Sequence, residues 1–259
     1  MYKFTDAIAR LGARVISFYS QLGAIFILLW QTNKGIRFLW KDRKIFMTQM
    51  LQVGVRSLPL VGFIALFTGA VAAWQAVYQL TGLVSLDVVG AASSTAIFIE
   101  LGPVLAALVF AGRVGSSIAA ELGVMQVTEQ MDALESLAVD PVRYLAVPRF
   151  FSCLIMAPVL TIYADAIALI GSFFVATYLL GITTYTFWNS VQNAFELRNV
   201  LGGLLKSHFF GASIAIIGCH VGFQTKGGAQ GVGITTIRAF VLSAAAILVL
   251  DYIITMIVY

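Results

Sequence analysis

Five long apolar runs constrain this chain more than any other feature of its sequence. They cover residues 59–84, 88–120, 150–181, 200–223 and 239–259. A helix of about 20 apolar residues spans the hydrocarbon core of a bilayer, and each run reaches that length. A soluble globular domain is excluded, because 60% of the residues are hydrophobic and only 11% are charged. The sequence predicts an all-α integral membrane protein with five transmembrane helices.

An earlier apolar run, residues 15–30, is either a sixth span or a helix that lies in the membrane interface. Its apolar side chains recur at helical spacing, which is typical of an amphipathic interfacial helix. With this run interfacial, 14 of the 16 Lys and Arg residues fall on one side of the membrane, whereas a sixth span leaves 11 there. The positive-inside bias favours the first arrangement. We predict a cytoplasmic N-terminal region with an interfacial helix over residues 1–50 and a five-span domain over residues 51–259.

The second run carries a small side chain at every fourth position. These residues are Ala107, Ala111, Gly115 and Ala119. Small side chains let the backbones of membrane helices approach closely, although they are also common in membrane helices in general. The pattern predicts close helix packing, either within the chain or across a dimer.

The apolar runs contain three acidic side chains, Glu100, Asp165 and Asp251, and Lys206 lies near one end of the fourth run. A charge inside a membrane needs a partner, a cavity or a neutralising proton. Glu100 stands two residues before Gly102 and Pro103, and it either lines a cavity or is solvated at the outer end of its helix. For Asp165 and Asp251 we predict a buried hydrogen bond or an ion pair.

The sequence lacks the common motifs of catalysis. It contains no H-E-x-x-H, no G-x-S-x-G and no G-x-x-x-x-G-K-[ST] phosphate loop. We therefore predict a transport subunit without catalytic residues, a metal or a cofactor of its own. Any ATP and Mg²⁺ are expected on another chain, and no segment resembles a nucleic-acid-binding module.

An acidic segment separates the second and third apolar runs. Five of the chain's 12 carboxylates lie within residues 121–140. Read as a helix over about residues 123–138, the segment places an apolar stripe opposite an acidic face. The topology above makes it cytoplasmic, and its acidity argues against contact with an anionic leaflet. A surface for a soluble partner is favoured over a merely solvated charged turn.

The same region carries a family resemblance. Residues 100–149 read ELGPVLAALVFAGRVGSSIAAELGVMQVTEQMDALESLAVDPVRYLAVPR, residues 222–243 read GFQTKGGAQGVGITTIRAFVLS, and residues 250–252 read LDY. These stretches are similar to the signature regions of the MlaE family of ABC-transporter permeases, which includes the YrbE proteins and the chloroplast lipid permease TGD1. The similarity covers nearly the whole chain, and its central block is long and specific.

The resemblance implies a homodimeric permease that moves phospholipid, with an N-terminal interfacial helix and five spans. The loop after the second span would form a coupling helix on a cytoplasmic ABC ATPase, with or without a small STAS-domain protein. A hexameric ring of MCE proteins would meet the dimer on the outer side. The expected location is the bacterial inner membrane, because the N-terminus does not resemble a plastid transit peptide.

The resemblance also implies roles for individual residues. The residues that fall at the lipid cavity are Ala72, Gln79, Leu80, Leu83 and Glu100. The residues that fall in the ATPase-coupling segment are Glu121, Glu129, Gln130, Met131, Asp132, Leu134 and Glu135.

One function of another class stays open at this point. A secondary transporter driven by an ion gradient could carry an amphiphile and use Glu100 or Asp165 as its proton site. Many such transporters consist of two inverted repeats, and five spans do not divide into two equal halves. The sequence therefore favours the ABC permease.

Overall fold

The computed structural model of the chain describes residues 2–40, 42–80 and 88–259. Side chains are described throughout these ranges except at residues 2–11, 13–15, 17, 18 and 80. Within these ranges every regular element is a helix, which confirms the predicted all-α class.

Five of the described helices are long and apolar enough to cross a membrane, which confirms the five predicted spans. In chain order, the first to fifth spans are Arg43–Gln79, Val89–Val127, Val142–Leu179, Leu197–Phe223 and Gly228–Val258. The other α-helices are the N-terminal helix Tyr2–Lys34, the loop helix Gln130–Ser136 and the connecting helix Thr184–Ala194.

The first and fifth spans begin well before the apolar runs that predict them. The first starts with the polar helix Arg43–Val53, followed by a 3₁₀ turn at Val55–Ser57 and then by the apolar helix Leu58–Leu80. Hydropathy marks only the part of a helix that is buried in lipid, so it misses polar turns that extend the same helix. The helix Arg43–Val53 also runs through the domain boundary predicted between residues 50 and 51.

Both the second and third spans contain π-helical turns. These are Ile97–Leu101 and Ala111–Gly115 in the second span, and Val142–Ala146 and Val175–Leu179 in the third. Such turns are rare and often mark functional sites. The first of them directly precedes Gly102 and Pro103, where the proline removes a backbone donor from the helix.

The first and third spans pack with their backbones in direct contact. A Cβ atom on Gly69 would lie 1.7 Å from the carbonyl oxygen of Ala168, and one on Gly171 would lie 2.0 Å from that of Leu66. Only glycine allows such an approach, since any side chain would collide with the opposing carbonyl. This contact fixes the wall against which the second span is held.

The small-residue ladder of the second span is enclosed by the same chain. Its members Ala107, Ala111, Gly115 and Ala119 are all buried. A Cβ atom on Gly115 would lie 3.0 Å from Ile214 of the fourth span. Ala119 packs with Ile217 of the fourth span and Ala239 of the fifth. The ladder therefore serves packing within the chain.

The N-terminal helix is continuous over Tyr2–Lys34, so it includes the predicted run over residues 15–30. It contacts the fourth span and the start of the third, and it buries Leu28 and Thr32. Arg238 of the fifth span donates a hydrogen bond to Gln21, at 3.0 Å. Its interfacial position and its cytoplasmic side stay predictions, because helix bounds do not fix the depth of a helix in a membrane.

Candidate functional site

An apolar cavity of about 720 Å³ lies between the first and second spans. Its size is typical of ligand pockets in proteins. The first span contributes large side chains such as Phe63, Phe67 and Val71, and the second contributes small ones such as Ala92 and Ala96. The contrast leaves open space because the alanines of one helix face the aromatic rings of the other.

The predicted cavity residues are distributed unevenly. Ala72 and Gln79 line this cavity. Leu83 and the side chain of Leu80 lie outside the described residues. The aromatic wall of Phe63 and Phe67, whose ring centroids lie 5.0 Å apart, was not predicted from the sequence.

A sequence signal for the polar side of the cavity does exist. Thr68, Ala72, Gln75 and Gln79 follow one another at spacings of four, three and four, and all line the cavity. They form a small and polar stripe in an otherwise apolar helix. An apolar wall with a few amides and hydroxyls suits an amphiphile, because its tails need apolar contact and its head group needs polar contact.

Glu100 does not line the large cavity. It lies in a neighbouring hollow of about 570 Å³ on the second span, which shares Ala92 and Ala96 with the large cavity. Its side chain is 46% exposed toward this hollow. The prediction that Glu100 lies near a cavity therefore applies to the adjoining hollow.

Lys206 of the fourth span ties Glu100 to the fifth span. Its Nζ lies 2.7 Å from Glu100 Oε2 and 2.8 Å from Asp251 Oδ1. The Lys206 side chain is 0% exposed and that of Asp251 is 13% exposed. We call these three residues the membrane charge cluster. The predicted ion pair of Asp251 is confirmed, and its partner comes from a span that the sequence did not link to it.

Pro103 contributes to this cluster through the backbone. An α-helix would use the N–H of residue 103 to satisfy the carbonyl of Ile99, and proline has none. Lys206 Nζ donates to that carbonyl instead, at 3.0 Å. Pro103 thus leaves a carbonyl acceptor that completes the surroundings of a buried ammonium group.

Asp165 of the third span is held differently. It is buried, and its Oδ1 has no hydrogen-bond partner among the described residues. A Cβ atom on Gly102 would lie 1.7 Å from this oxygen. Asp165 therefore packs against Gly102, and among the described residues its Oδ1 lacks the predicted hydrogen bond or ion pair.

The acidic segment between the second and third spans is not one helix over about residues 123–138, as the sequence predicted. The second span ends at Val127, and the loop helix runs only from Gln130 to Ser136. Glu129 between them has a φ of 60°, in the left-handed region that breaks a right-handed helix. Ala138, with a φ of 57°, ends the segment before Pro141 is reached.

The apolar stripe of the loop helix faces its own chain. Met131 is 4% exposed, and Met131 and Leu134 both pack on the main core. Helical periodicity predicts that this stripe packs on the membrane or on a partner. The burial of Met131 in its own chain contradicts that prediction for Met131, whereas Leu134 is only partly buried. The stripe holds the loop helix against the spans, because core space is available there.

The polar face of the loop helix is the one that points outward. The exposed residues on it include Glu129, Gln130, Asp132 and Glu135. Leu137, just after the helix, is 74% exposed. No ion pair within the described residues involves any of these acids. We call this surface the acidic face.

Glu121, by contrast, is part of the scaffold beneath the loop. Its Oε2 lies 3.0 Å from Nη2 of Arg149, which is a buried residue at the start of the third span. Ser117 donates a second hydrogen bond to its Oε1, at 3.2 Å. This pair joins the end of the second span to the start of the third and fixes the base of the loop.

Metal binding has no support in the described part of the chain. No group of three His, Cys, Asp or Glu side chains there could hold a metal ion. The two cysteines, Cys153 and Cys219, are buried and free.

Known proteins of one family resemble this chain along most of its length. A family model described as "Permease MlaE" matches residues 46–257. A probable ABC transporter permease protein of Rickettsia typhi is 40% identical over 82% of this chain and 82% of its own. The intermembrane phospholipid transport system permease protein MlaE of Haemophilus influenzae is 34% identical over 97% of each chain. The chloroplastic protein TRIGALACTOSYLDIACYLGLYCEROL 1 of Arabidopsis thaliana is 34% identical over 80% of this chain and 59% of its own.

These matches confirm the resemblance found in the sequence. They extend over the spans, the loop helix and the membrane charge cluster. The chain is an ABC-transporter permease and belongs to the MlaE family.

Proposed function

We propose that this permease moves phospholipid between membranes as part of an ATP-driven transport system. The observation that carries the proposal is the cavity of about 720 Å³ between the first and second spans, with aromatic walls and the amides of Gln75 and Gln79. Such a cavity suits a molecule with apolar tails and a polar head. The Haemophilus relative, which matches nearly the whole chain, is named for phospholipid transport between membranes.

Two copies of the chain would complete this cavity. Phe63, Phe67 and Val71 line it and are 64%, 57% and 64% exposed. A wall so open in one chain would be closed by the same surface of a second chain, which is the arrangement of a two-fold dimer. We propose that the permease works as such a homodimer.

Energy would come from a cytoplasmic ABC ATPase that binds ATP and Mg²⁺. The acidic face of the loop helix supports this part of the proposal, because it is exposed and its acids form no ion pairs among the described residues. The buried Met131 anchors the loop helix to the spans, so a movement of the ATPase against the acidic face would be transmitted to the spans. A STAS-domain protein on the ATPase and an MCE ring on the other side of the membrane remain expectations from the family. We place the assembly in the bacterial inner membrane with the N-terminus cytoplasmic.

Reconstitution tests the transport itself. The permease, purified together with a cognate ABC ATPase, would be placed in vesicles with a fluorescent phospholipid. We expect ATP-dependent movement of this lipid. The substitution Ala72→Trp should reduce it severalfold by filling the cavity, whereas Ile162→Trp, on an exposed part of the third span, should not. Equal rates for the two variants would contradict the role of the cavity.

The acidic face offers a separate test of coupling. The double substitution Asp132→Lys and Glu135→Lys reverses the charge of this face without touching the core. We expect at least a tenfold loss of lipid-stimulated ATP hydrolysis, since like charges opposed at an interface repel the partner. Glu196→Lys, an exposed acid beyond the connecting helix, is the matched control. Normal ATPase binding by the double variant would show that the partner docks elsewhere.

The same vesicles test the alternative function, a secondary transporter driven by an ion gradient. Asp165 keeps that candidate open, because its Oδ1 is buried without a partner among the described residues. Glu100 supports the secondary transporter less, since its carboxylate already forms an ion pair with Lys206. Lipid movement driven by a proton gradient in the absence of an ATPase, and lost on Asp165→Asn, would replace the ABC proposal.

A further inference from the structure

A further, smaller cavity lies beside the ends of the first and second spans that are nearest the loop helix. Its volume is about 200 Å³. The polar side chains that line it are Gln49, Gln52, Arg56, Arg113, Ser117 and Glu121. The space is too small for a whole lipid, but it is large enough for a single polar group.

The charge of this cavity is unbalanced. Arg56 and Arg113 both line it, and neither forms an ion pair with an acid in the described ranges. The carboxylate of Glu121 lies on the same wall, but Arg149 and Ser117 already engage its oxygens. Two guanidinium groups thus share a space of about 200 Å³ with no free carboxylate, which favours an anion between them.

Arg113 is held in place for such a contact. Its Nη1 donates to Ser57 Oγ at 2.5 Å and to the carbonyl oxygen of Gln52 at 3.4 Å. These bonds come from the 3₁₀ turn of the first span and the helix before it. A guanidinium carries five N–H donors, so most of its donors stay available. Phosphate is the anion that the planar fork of arginine fits best, together with carboxylate.

Both arginines lie at the edge of the apolar part of their spans. Residues 57–79 of the first span contain no Asp, Glu, Lys or Arg, and neither do residues 101–112 of the second. Arg56 directly precedes the first stretch and Arg113 directly follows the second. Each arginine lies at the end of its stretch that is nearer the loop helix. We expect lipid head groups to meet the hydrocarbon core near this end of the charge-free stretches.

An apolar stripe leads from this small cavity to the large one. Arg56, Leu60, Phe63 and Phe67 follow at spacings of four, three and four, and the three apolar members are exposed. Phe63 and Phe67 also line the large cavity. A lipid whose head lies at Arg56 would therefore have its tails along a surface that continues into the large cavity.

We propose that Arg56 and Arg113 bind the phosphate group of a phospholipid at this boundary of the membrane, with its acyl chains along Leu60 and Phe63. Phospholipid binding at Arg56 and Arg113 does not depend on whether the chain transports lipid. Its place at the foot of the pathway into the large cavity rests on the proposed function.

The test measures lipid binding to the full chain in dodecyl maltoside, a detergent without phosphate. Native mass spectrometry would follow phosphatidylglycerol, diacylglycerol with the same acyl chains, and inorganic phosphate as a competitor. We expect phosphatidylglycerol to bind, and diacylglycerol to bind at least about fivefold more weakly. Arg56→Gln should weaken phosphatidylglycerol binding by about tenfold or more, the effect of losing one charge-assisted hydrogen bond.

Two further variants keep the test decisive. Arg43→Gln removes an exposed arginine of the same span that does not line the cavity, and it should leave binding unchanged. Arg56→Lys keeps the charge and should retain part of the affinity, which guards against a folding defect of Arg56→Gln. Equal losses in Arg43→Gln and Arg56→Gln would overturn the site, since they would indicate general attraction to lipid. Displacement of the lipid by millimolar inorganic phosphate would assign the cavity to the free ion and overturn the lipid assignment.

Binding and transport can fail separately. If Arg56→Gln loses phosphatidylglycerol but the reconstituted complex moves no lipid, the site stands and the proposed function falls. If lipid moves with ATP and Arg56→Gln binds and transports normally, the proposed function stands and this site falls.

Discussion

The membrane charge cluster and the acidic face hold their carboxylates under opposite conditions. In the cluster, Glu100 and Asp251 share Lys206, whose side chain is 0% exposed. On the acidic face, Asp132 and Glu135 are exposed and form no ion pair within the described residues. A charge inside the membrane needs a partner, a cavity or a neutralising proton, whereas a charge in water needs none of these. The first group therefore belongs to the fold, and the second is available to a partner.

The comparison also separates residues that lie close together in the sequence. Glu121 and Asp132 are both acids of the segment between the second and third spans. Glu121 pairs with the buried Arg149, and Asp132 faces outward. Substitutions that look alike in sequence should consequently affect stability in one case and coupling in the other.

The largest effect is expected at the centre of the cluster. Lys206→Met leaves Asp251 buried without its partner, while Glu100 still faces the hollow on the second span. Removing one member of a buried ion pair costs about 3–5 kcal/mol, so we expect a loss of about 3 kcal/mol in the free energy of unfolding. Thermal unfolding of the detergent-purified chain measures it.

Two controls accompany this substitution. Lys226→Met removes an exposed lysine from the loop before the fifth span, and its unfolding should match that of the unsubstituted chain. Adding Asp251→Asn to Lys206→Met should recover part of the stability, because the unpaired charge is gone. If Lys206→Met and Lys226→Met unfold alike, the cluster contributes nothing to the fold.

A smaller effect is expected where the loop helix meets the core. Met131→Asp places a carboxylate at a position that is 4% exposed and removes a packed side chain. We expect a loss of about 2–3 kcal/mol in the free energy of unfolding, at the lower end of the range for emptying a core position. Asp132→Ala, one residue along on the exposed face, should leave unfolding unchanged. A stable Met131→Asp variant that loses only its ATPase would return Met131 to the partner surface.

Much of the fold could be predicted from the sequence, since lipid dictates the length and composition of a span. The five apolar runs match the five spans for this reason. The polar turns at Arg43–Val53 carry no such signal, and neither does the break at Glu129. A non-glycine residue in the left-handed region is held there by tertiary packing, which the local sequence does not reveal.

The parts of the candidate site that lie on one helix could be predicted from the sequence. The parts that combine several helices could not. The stripe of Thr68, Ala72 and Gln79 can be read from helical spacing alone. The ion pairs between residues 100, 206 and 251 cannot be predicted from helical spacing, because each residue comes from a different span. Periodicity also found the apolar stripe of the loop helix, but it cannot tell whether the chain's own core or a partner covers such a stripe.

The smallest change in stability is expected from a comparison of two acids in the same segment, Glu121 and Asp132. Glu121→Gln keeps the shape of the side chain but removes its charge beside Arg149, which stays buried. We expect a loss of about 1 kcal/mol, because Glu121 is half exposed and solvent screens the pair. Asp132→Asn is the matched variant and should leave thermal unfolding unchanged, since Asp132 has no ion pair in the described part of the chain to lose. The ATPase assay should show the reverse order, with the stronger defect in Asp132→Asn. Equal stability losses for the two variants would mean that the acidic face is held by contacts within the fold, and the distinction between scaffold and partner surface would then be abandoned.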